Sequence, residues 1–241
     1  MPVQQLDDPV YVSEQYATEA GLAARKAIYA DVTGPDARGV ALEAVLAQHP
    51  ASVLEVGCGE GELAQEIAAS PGIDLVAVDL SPRMVEITAA RGVDARVADV
   101  QSLPFADASF DVVLALWMLY HVPDLDRGLG EIVRVLRPGG VLVAGTNAPG
   151  HLEEVLELGG LEAWELGFDG QNGQARLEAH FARVERREAY GTVTLPDIAA
   201  VRSYYGSSQR LQPHASALPL ELEEPLVAKR MPVVFVAEKA S

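Results

Sequence analysis

Residues 53–64 read VLEVGCGEGELA, and this stretch decides the fold class of the chain. A short apolar run passes through Gly57, Gly59 and Gly61 directly into a helix-forming segment. A strand that turns sharply into a helix places backbone N–H groups and the positive end of a helix dipole at one point. Glycine is favoured there because a side chain would keep a ligand away from the main chain. The pattern therefore predicts a site for a nucleotide-type cofactor.

Apolar segments and helix signals alternate on both sides of this turn. The pattern predicts strands over 52–57, 73–79, 94–98, 110–117 and 140–146. Helices are expected over 14–30, 36–48 and 62–69, and another begins at Ser81-Pro82, where serine caps and proline suits the first turn. Strands alternating with helices indicate an α/β fold with a parallel sheet covered on both faces.

The last third of the chain is less regular. Strands are expected at 182–190 and 232–238, and the stretch between them is rich in proline, serine and tyrosine. Two strands separated by a long excursion fit an antiparallel sheet edge plus an inserted cap. We expect one domain, 1–241, whose parts are N-terminal helices in 1–48, a cofactor-binding core in 49–148, substrate-side elements and the cap in 149–231, and a final strand in 232–241.

Composition restricts the classes of partner. The 241 residues carry 35 acidic against 18 basic side chains, a formal net charge of −17, which predicts no nucleic-acid partner. No apolar run reaches the roughly 18 residues that a membrane span needs, and the N-terminus lacks the order of a signal peptide. The lone Cys58 favours a reducing compartment, so we expect a cytoplasmic protein without a membrane partner.

Three acidic residues lie where they could select the nucleotide. Asp79 and Asp99 follow the second and third predicted strands, and ligands of open α/β sheets bind at such carboxyl ends. Asp79 could accept both ribose hydroxyls of an adenosine, and Asp99, with the Val100 backbone beside it, could bind the adenine amine. The alternative for both is a solvated carboxylate or a helix cap. Glu55, inside the first strand, could instead bind the backbone of its own turn.

Other nucleotide sites fit less well. A dinucleotide-binding turn reads G-x-G-x-x-G, whereas the third glycine here comes one residue earlier. A phosphate-binding P-loop is excluded because no Gly-Lys-Ser/Thr follows the turn. An NAD(P)-dependent oxidoreductase remains the alternative class of enzyme.

Four segments together resemble a known family. They are VLEVGCGEGELA, VAVDLSPRMVE, ARVADVQSLPFADASFDVVLALWMLYHV and EIVRVLRPGGVLVAGTN. In order and spacing they look like class I S-adenosylmethionine-dependent methyltransferases, closest to the group that resembles ubiquinone and menaquinone biosynthesis enzymes. The resemblance covers about residues 50–148.

The resemblance implies a Rossmann-like, doubly wound sheet of seven strands with strand seven antiparallel. It also implies a cofactor, S-adenosyl-L-methionine, which leaves as S-adenosyl-L-homocysteine. The glycine turn with Cys58 would lie under its methionine part, and Asp79 with Leu80 would hold the ribose. Further cofactor contacts would come from Met84, Asp99, Val100, Ala115 and Leu116, although Met84 could equally be a plain core residue. Either Tyr16 or Arg25 could hold the carboxylate of the cofactor.

Methyl transfer from a sulfonium is an in-line displacement, which needs alignment, exclusion of water and, for a protonated nucleophile, a base. His121, just beyond the fourth strand, is the candidate base, although it could merely bond a loop. His151 is the second histidine near the same edge. Other expected acceptor contacts are Trp117, Tyr120, Tyr204 and Tyr205, of which the last two could instead anchor the cap. No Cys/His/Asp cluster has metal spacing, so no metal is expected.

The sequence therefore predicts methyl transfer to a small-molecule oxygen, nitrogen or carbon nucleophile. The alternatives are the oxidoreductase and a non-catalytic protein that binds S-adenosylmethionine. The acceptor and the oligomeric state stay open.

Overall fold

The computed structural model describes residues 6–8, 12, 15, 24–163 and 165–241. Within this part of the chain the longer helices are α1 (Ala37–Leu46), α2 (Glu62–Ala68), α3 (Pro82–Ala90), α4 (Leu125–Val135), α5 (Glu153–Glu157), α6 (Gly173–Glu178) and α7 (Ile198–Gly206). The strands are β1 (Ser52–Val56), β2 (Asp74–Asp79), β3 (Asp94–Val97), β4 (Phe110–Leu116), β5 (Leu136–Asn147), β6 (Arg183–Glu188), β7 (Gly191–Leu195), β8 (Leu226–Arg230) and β9 (Pro232–Glu238). Short 3₁₀ turns occupy Ile28–Ala30, Leu119–His121 and Gln212–Ala217.

Seven strands form one sheet in the order β3-β2-β1-β4-β5-β9-β6. The pairs from β3 to β5 are parallel, whereas β9 runs antiparallel to both β5 and β6. The predicted α/β class, the seven strands and the single antiparallel strand are confirmed. The strand order reverses direction between β1 and β4, which is where open α/β sheets bind their ligands.

The central strands are apolar on both faces because helices cover both. On one face Leu54 and Val113 pack in a core cluster with Leu129 and Ile132 of α4. On the other face Val53 belongs to a cluster that includes residues of α1 and α2, among them Ala41, Val45, Leu63 and Ile67. This burial on two sides explains why β1 and β4 are nearly continuous apolar runs. Helix α4, which the sequence pattern did not predict, contributes Leu129, Ile132 and Val135 to the first cluster.

The fifth strand begins earlier than its sequence pattern predicts. It is expected over 140–146, but β5 already begins at Leu136 and includes the Arg137-Pro138-Gly139-Gly140 stretch. Pairing with β4 jumps from Phe110–Leu136 to Val112–Val141, so the stretch forms a bulge inside the strand. Gly139 takes φ +72°, a backbone conformation that glycine adopts without steric cost.

The excursion between β6 and β9 contains its own small sheet and core. Strands β7 and β8 pair antiparallel, and Val32 of the N-terminal region bridges to Val193 of β7. A third core cluster joins this sheet to α5 and α7, and Tyr205 lies at 0% exposure inside it. The sequence predicted the excursion but neither of its strands, since they are short and separated by about thirty residues of α7 and loop.

The N-terminal helix expected over 14–30 lies only partly within the described residues. Residues 24–27 are helical and pass into the 3₁₀ turn Ile28–Ala30. Among the helices of the described residues, none is both long and apolar enough to cross a membrane.

Candidate functional site

The glycine turn is tied to the neighbouring strand through its own backbone. The N–H groups of Gly57 and Cys58 donate to the Val78 carbonyl at 2.8 and 3.1 Å. Gly59 and Gly61 take φ values of 55° and 71°, in the left-handed region. A Cβ on Gly61 would stand 2.4 Å from the Thr88 hydroxyl, so the turn and helix α3 approach too closely for any side chain.

Asp79 lies directly at this turn. Its carboxylate accepts hydrogen bonds from the N–H of Gly59 and of Ser81, both at 2.9 Å. Burial raises the pKa of Asp79, and the two backbone donors oppose that shift. The neighbouring Leu80 is 50% exposed. The structure thus brings Asp79 to the glycine turn, and the ribose contacts of Asp79 and Leu80 stay a prediction.

Glu55 is the least satisfied polar residue near the turn. It is 4% exposed, and its Oε2 atom has no hydrogen-bond partner among the described residues. Burial raises its pKa to about 8; Arg38 opposes the shift and Asp79 adds to it. A buried oxygen without a partner is costly, which favours a polar ligand that reaches it.

Helix α3 supports the turn with two side chains one helical turn apart. Thr88 is fully buried, and its hydroxyl donates to the Gly59 carbonyl at 2.9 Å. Met84 is also at 0% exposure, which agrees with a core residue and leaves its adenine contact a prediction. The Cys58 thiol lies 3.5 Å from the Thr88 hydroxyl, and burial raises its pKa to about 12. A thiol held in its protonated form is no nucleophile here.

The ends of the next two strands follow the predicted layout. Beyond β3, Asp99 accepts from the N–H of Gln101 at 2.8 Å, and Val100 is buried in the first core cluster. At the end of β4, Ala115 is buried and Leu116 half-buried. These residues stand at the carboxyl edge of the sheet, where their cofactor contacts stay a prediction.

Trp117 turns the chain away from β4 in a strained conformation. Its φ is +52°, which a bulky residue rarely adopts. Its backbone N–H donates to the Gly145 carbonyl at 2.7 Å, and its indole Nε1 donates to Asn147 Oδ1 at 3.1 Å. The 3₁₀ turn Leu119–His121 begins two residues later.

A cavity of about 200 Å³ opens at this edge. Among the residues predicted to meet the acceptor, Tyr120, His121, His151 and Tyr204 line it, whereas Trp117 and Tyr205 do not. The other described lining residues are Leu6, Gln15, Arg25, Asn147, Ala148, Pro149, Gly150, Leu152, Leu156, Ala163, Leu166, Asp169, Ser208 and Arg210.

Tyr205 takes the second of its two expected roles. Its ring is fully buried, and its hydroxyl donates to the carbonyls of Val155 and Leu156 at 3.0 and 3.1 Å. It therefore anchors α7 to α5 instead of facing an acceptor. Tyr204, the next residue, points to the cavity, and burial raises its pKa to about 12 so that its phenol stays protonated.

The two cavity histidines differ in tautomer. His121 Nδ1 lies 2.6 Å from the Leu6 carbonyl, and since a carbonyl only accepts, Nδ1 carries the proton. In the neutral ring Nε2 is then the basic nitrogen. Burial lowers the pKa of His121, and Arg25 lowers it further, while the Leu6 carbonyl opposes the shift. The ring is consequently a neutral base at neutral pH.

His151 is arranged in the opposite way. Its Nδ1 accepts the N–H of Met231 at 2.9 Å, so Nε2 carries the proton and donates to the Tyr29 hydroxyl at 2.9 Å. Burial, reinforced by Arg230, lowers the pKa of His151 to about 3. With its only lone pair on a backbone N–H, His151 is placed to hold Tyr29 and not to accept a proton.

Two residues, Tyr16 and Arg25, are predicted to bind the carboxylate of the cofactor. Tyr16 lies outside the described residues. Arg25 lines the cavity, donates from Nη1 to the Ser207 carbonyl at 3.0 Å, and its charge reaches both His121 and Tyr204.

Three residues near the candidate site were not predicted from the sequence. Thr88 is a polar residue in the buried stripe of α3, four positions after Met84, and that break in the pattern could have revealed it. Asn147 ends β5 and so obeys the same strand-end rule that selected Asp79. Arg210, in the loop after α7, carried no local signal. Within the described residues, no group of three or more His, Cys, Asp or Glu side chains is arranged to hold a metal ion.

The fold and site together define a doubly wound α/β protein that binds an adenosine-type cofactor. The residues present fit such a group in two respects. Asp79 lies at the glycine turn, where its carboxylate accepts from the Gly59 N–H, and Glu55 offers a buried oxygen that has no hydrogen-bond partner among the described residues. Between the turn and the cavity, Trp117 links β4 to Asn147 on the cavity wall.

Comparison with known proteins identifies the family. Residues 54–144 match the family model described as a methyltransferase domain. A "Probable S-adenosylmethionine-dependent methyltransferase" of Mycolicibacterium smegmatis is 32% identical over 184 residues, which cover 63% of this chain and 71% of that protein. The chain therefore belongs to the S-adenosylmethionine-dependent methyltransferases, as its motifs predicted.

Two further relatives bear on the branch and the fold. The demethylmenaquinone methyltransferase of Thermus thermophilus is 36% identical over 110 residues, which cover 43% of this chain and 50% of that enzyme. The YcgJ protein of Bacillus subtilis has the same fold, with a TM-score of 0.62 at 17% identity over 85% of this chain and 98% of that one. Matches to the first curated relatives span only 37% to 50% of their own length.

Proposed function

We propose that this protein transfers a methyl group from S-adenosylmethionine to a small-molecule nucleophile. The observation that carries the proposal is the glycine turn itself: Gly59 and Gly61 take left-handed φ values, and Asp79 accepts from the Gly59 N–H. Close in the chain, Glu55 has a buried oxygen without a hydrogen-bond partner among the described residues. When bound, S-adenosylmethionine supplies a methyl group activated by a sulfonium.

The cofactor would be held by residues around the turn and at the neighbouring strand ends. Asp79 is proposed to hold the ribose and Asp99 the adenine amine, with apolar contacts from neighbouring side chains. Arg25 is the proposed partner of the carboxylate, because its guanidinium belongs to a residue that lines the cavity. The full proposed set is Glu55, Gly57, Cys58, Gly59, Gly61, Asp79, Leu80, Met84, Asp99, Val100, Ala115, Leu116 and Arg25, and Tyr16 stays a prediction outside the described residues.

His121 is the proposed general base. Its Nδ1 proton is committed to the Leu6 carbonyl, so Nε2 is the atom that takes the proton when the acceptor's nucleophile gives it up. The cavity positions the acceptor, and Tyr120, whose ring meets His121 edge-on at 4.5 Å, fixes the imidazole plane. His151 serves the site by holding Tyr29, and Tyr204 offers a protonated phenol.

A small molecule suits the acceptor side better than a polymer. The cavity is small, and the strongly acidic surface disfavours nucleic acid. A cytoplasmic location, inferred from the lone cysteine, stays a prediction.

The experiment follows label from methyl-labelled S-adenosylmethionine into the small-molecule fraction of a cell extract. The wild-type protein should label a discrete product, and His121→Gln should reduce the rate by roughly 10²- to 10⁴-fold. His180→Gln, a histidine whose ring lies 3.4 Å from Asp126 away from the cavity, is the matched control and should not change the rate. If the wild-type protein binds S-adenosylhomocysteine but labels nothing, the non-catalytic alternative replaces this proposal. Stabilisation by NAD(P) alone would favour the oxidoreductase.

A further inference from the structure

Asp169 presents one carboxylate oxygen that the fold leaves unused. The residue is 6% exposed and lines the cavity. Its Oδ1 atom accepts from the backbone N–H groups of Gln171 and Asn172 at 2.7 and 2.8 Å. Its Oδ2 atom has no hydrogen-bond or ion-pair partner among the described residues. A buried carboxylate oxygen without a partner is costly, and a ligand group that donates to it would offset that cost.

Asn147, the last residue of β5, presents the opposite kind of group on the same cavity wall. The indole Nε1 of Trp117 can only donate, so the amide oxygen of Asn147, 3.1 Å away, is the atom that faces it. The amide nitrogen Nδ2 therefore points away from Trp117, and within the described part of the chain it has no hydrogen-bond partner. Asn147 thus offers a donor where Asp169 offers an acceptor.

Three contacts fasten the loop before α6 to the end of β5. The Thr146 hydroxyl donates to the Phe168 carbonyl at 3.0 Å. The N–H of Gly170 donates to the Asn147 carbonyl, also at 3.0 Å. A Cβ on Gly170 would stand 2.8 Å from the Cβ of Ala148, so no side chain fits between the two segments. The donor and the acceptor are consequently held close together before any ligand binds.

Resting on the function proposed above, we propose that the methyl acceptor carries a hydroxyl group that donates to Asp169 Oδ2 and accepts from Asn147 Nδ2. A hydroxyl does both through one oxygen atom. An ammonium group could donate to Asp169 but could not accept from Asn147, and an ether or a carboxylate could not donate to Asp169. Asp169 and Asn147 are thus specificity residues for the acceptor, and His121 remains the proposed base.

The test compares four small probes that share one ring: benzyl alcohol, benzyl methyl ether, benzoate and benzylamine, which is protonated at neutral pH. Each is titrated into the full-length protein saturated with S-adenosylhomocysteine, and its dissociation constant is taken from the NMR shifts of backbone N–H groups. Benzyl alcohol should bind most tightly of the four, and about tenfold or more tightly than its ether, because only the alcohol donates to the charged carboxylate. The N–H signals of Gln171 and Asn172, which donate to Asp169, should shift as it binds.

Two variants change the two halves of the pairing separately. Asp169→Asn keeps an oxygen for its own turn but places an NH₂ group where Oδ2 was, so the ether should bind as tightly as the alcohol or more tightly. Asn147→Asp keeps the oxygen that the Trp117 indole meets and replaces the donor with a second acceptor, so benzylamine should become the tightest probe. Asp126→Asn is the matched control, because the Asp126 side chain is 72% exposed and is not among the described lining residues. It should rank the probes as wild type does.

The dissociation constant of S-adenosylhomocysteine checks the fold of each variant and should be the same in all of them. Several results would overturn the inference: a wild-type protein that does not bind benzyl alcohol, or that binds the ether, the amine or the acid at least as tightly. A preference for the alcohol that survives Asp169→Asn would do the same. Loss of S-adenosylhomocysteine binding in Asp169→Asn would assign Asp169 to the cofactor instead of the acceptor. A wild-type protein that does not bind S-adenosylhomocysteine at all would instead contradict the proposed function.

Discussion

At the scale of single residues, hydrogen-bond partners distinguish two histidines that the sequence alone cannot distinguish. His121 and His151 border one cavity, yet the first donates to a carbonyl and the second accepts from an N–H. A histidine that donates through Nδ1 retains a basic Nε2, and one that accepts through Nδ1 does not. Their proposed roles, His121 as base and His151 as support for Tyr29, rest on this difference.

The pH profile of turnover should show the state of His121. Burial lowers its pKa below the ordinary value of 6.5, and a base must be deprotonated to act. kcat/KM should therefore be level at neutral pH and should fall with unit slope only below about pH 6.5. His121→Gln should lose this acidic limb along with most of its rate. An acidic limb that persists unchanged in the variant would assign the titration to another group.

Glu55 should make the stability of the ligand-free protein depend on pH. Its pKa rises from 4.5 to about 8 on folding, so between these values the native state binds more protons than the unfolded state. The free energy of unfolding should therefore fall as pH rises through this range. Glu55→Gln, which cannot ionise, should be more stable than wild type at pH 8 by a few kcal/mol, on the order of magnitude set by such a shift. At pH 4.5 the difference should be small.

Urea unfolding at pH 4.5, 6.5 and 8 measures this difference. Glu86→Gln is the matched control, because Glu86 is an exposed partner of Arg83 on α3. Equal pH slopes for wild type and Glu55→Gln would show that Glu55 ionises freely in the native state.

At the scale of elements, the described residues form a seven-stranded sheet, proposed to bind the cofactor, and a cap around β7 and β8, proposed to cover the acceptor. The turn after β1 depends on α3, since Thr88 donates to the Gly59 carbonyl. The cap depends on the N-terminal region: Thr33 donates its N–H to the Thr192 carbonyl, and Thr194 donates to the Asp31 carbonyl, both at 2.9 Å. The cavity proposed for the acceptor is lined by residues of both parts, among them Asn147 of β5 and Tyr204 of α7.

Gly191 tests how the N-terminal region joins the cap. A Cβ there would lie 2.0 Å from the Thr33 carbonyl oxygen, so alanine would force residues 31–33 away from β7. We expect Gly191→Ala to lower the free energy of unfolding by about 1–3 kcal/mol. Gly206→Ala is the control: it ends α7 in open space, and should be neutral or stabilising by up to about 1 kcal/mol. Equal urea midpoints for the two variants would contradict this packing.

The sequence predicted elements well where one periodic signal decided them. The strands from β1 to β4 and helices α1, α2 and α3 have strong apolar runs or caps such as Ser81-Pro82, and they lie within a few residues of their expected bounds. Strands β7 and β8 were missed because their pairing joins residues far apart in the chain, and no local pattern records it. Arg210 was missed for the same reason: only the fold brings it beside His121 and Arg25.

At the scale of the whole molecule, charge and fold act in opposite directions on ligands. A net charge of −17 disfavours the binding of large anions at the surface. The glycine turn and the arginines that line the cavity are two places where an anionic group could still bind. The adenosyl cofactor and the acceptor are expected to meet at the carboxyl edge of the sheet, where the strand order reverses. The proposed transfer requires the cofactor to bind at that edge.

Calorimetric titration of S-adenosylhomocysteine into wild-type, Asp79→Ala and Asp74→Ala proteins tests this claim most directly. Asp74 is an exposed carboxylate at the opposite end of the same strand, so it serves as the control. Wild type and Asp74→Ala should bind alike, and Asp79→Ala should lose about 1.5–3 kcal/mol of binding free energy, roughly 10- to 150-fold in affinity. Absence of binding to wild type, or affinity that survives Asp79→Ala unchanged, would contradict the account.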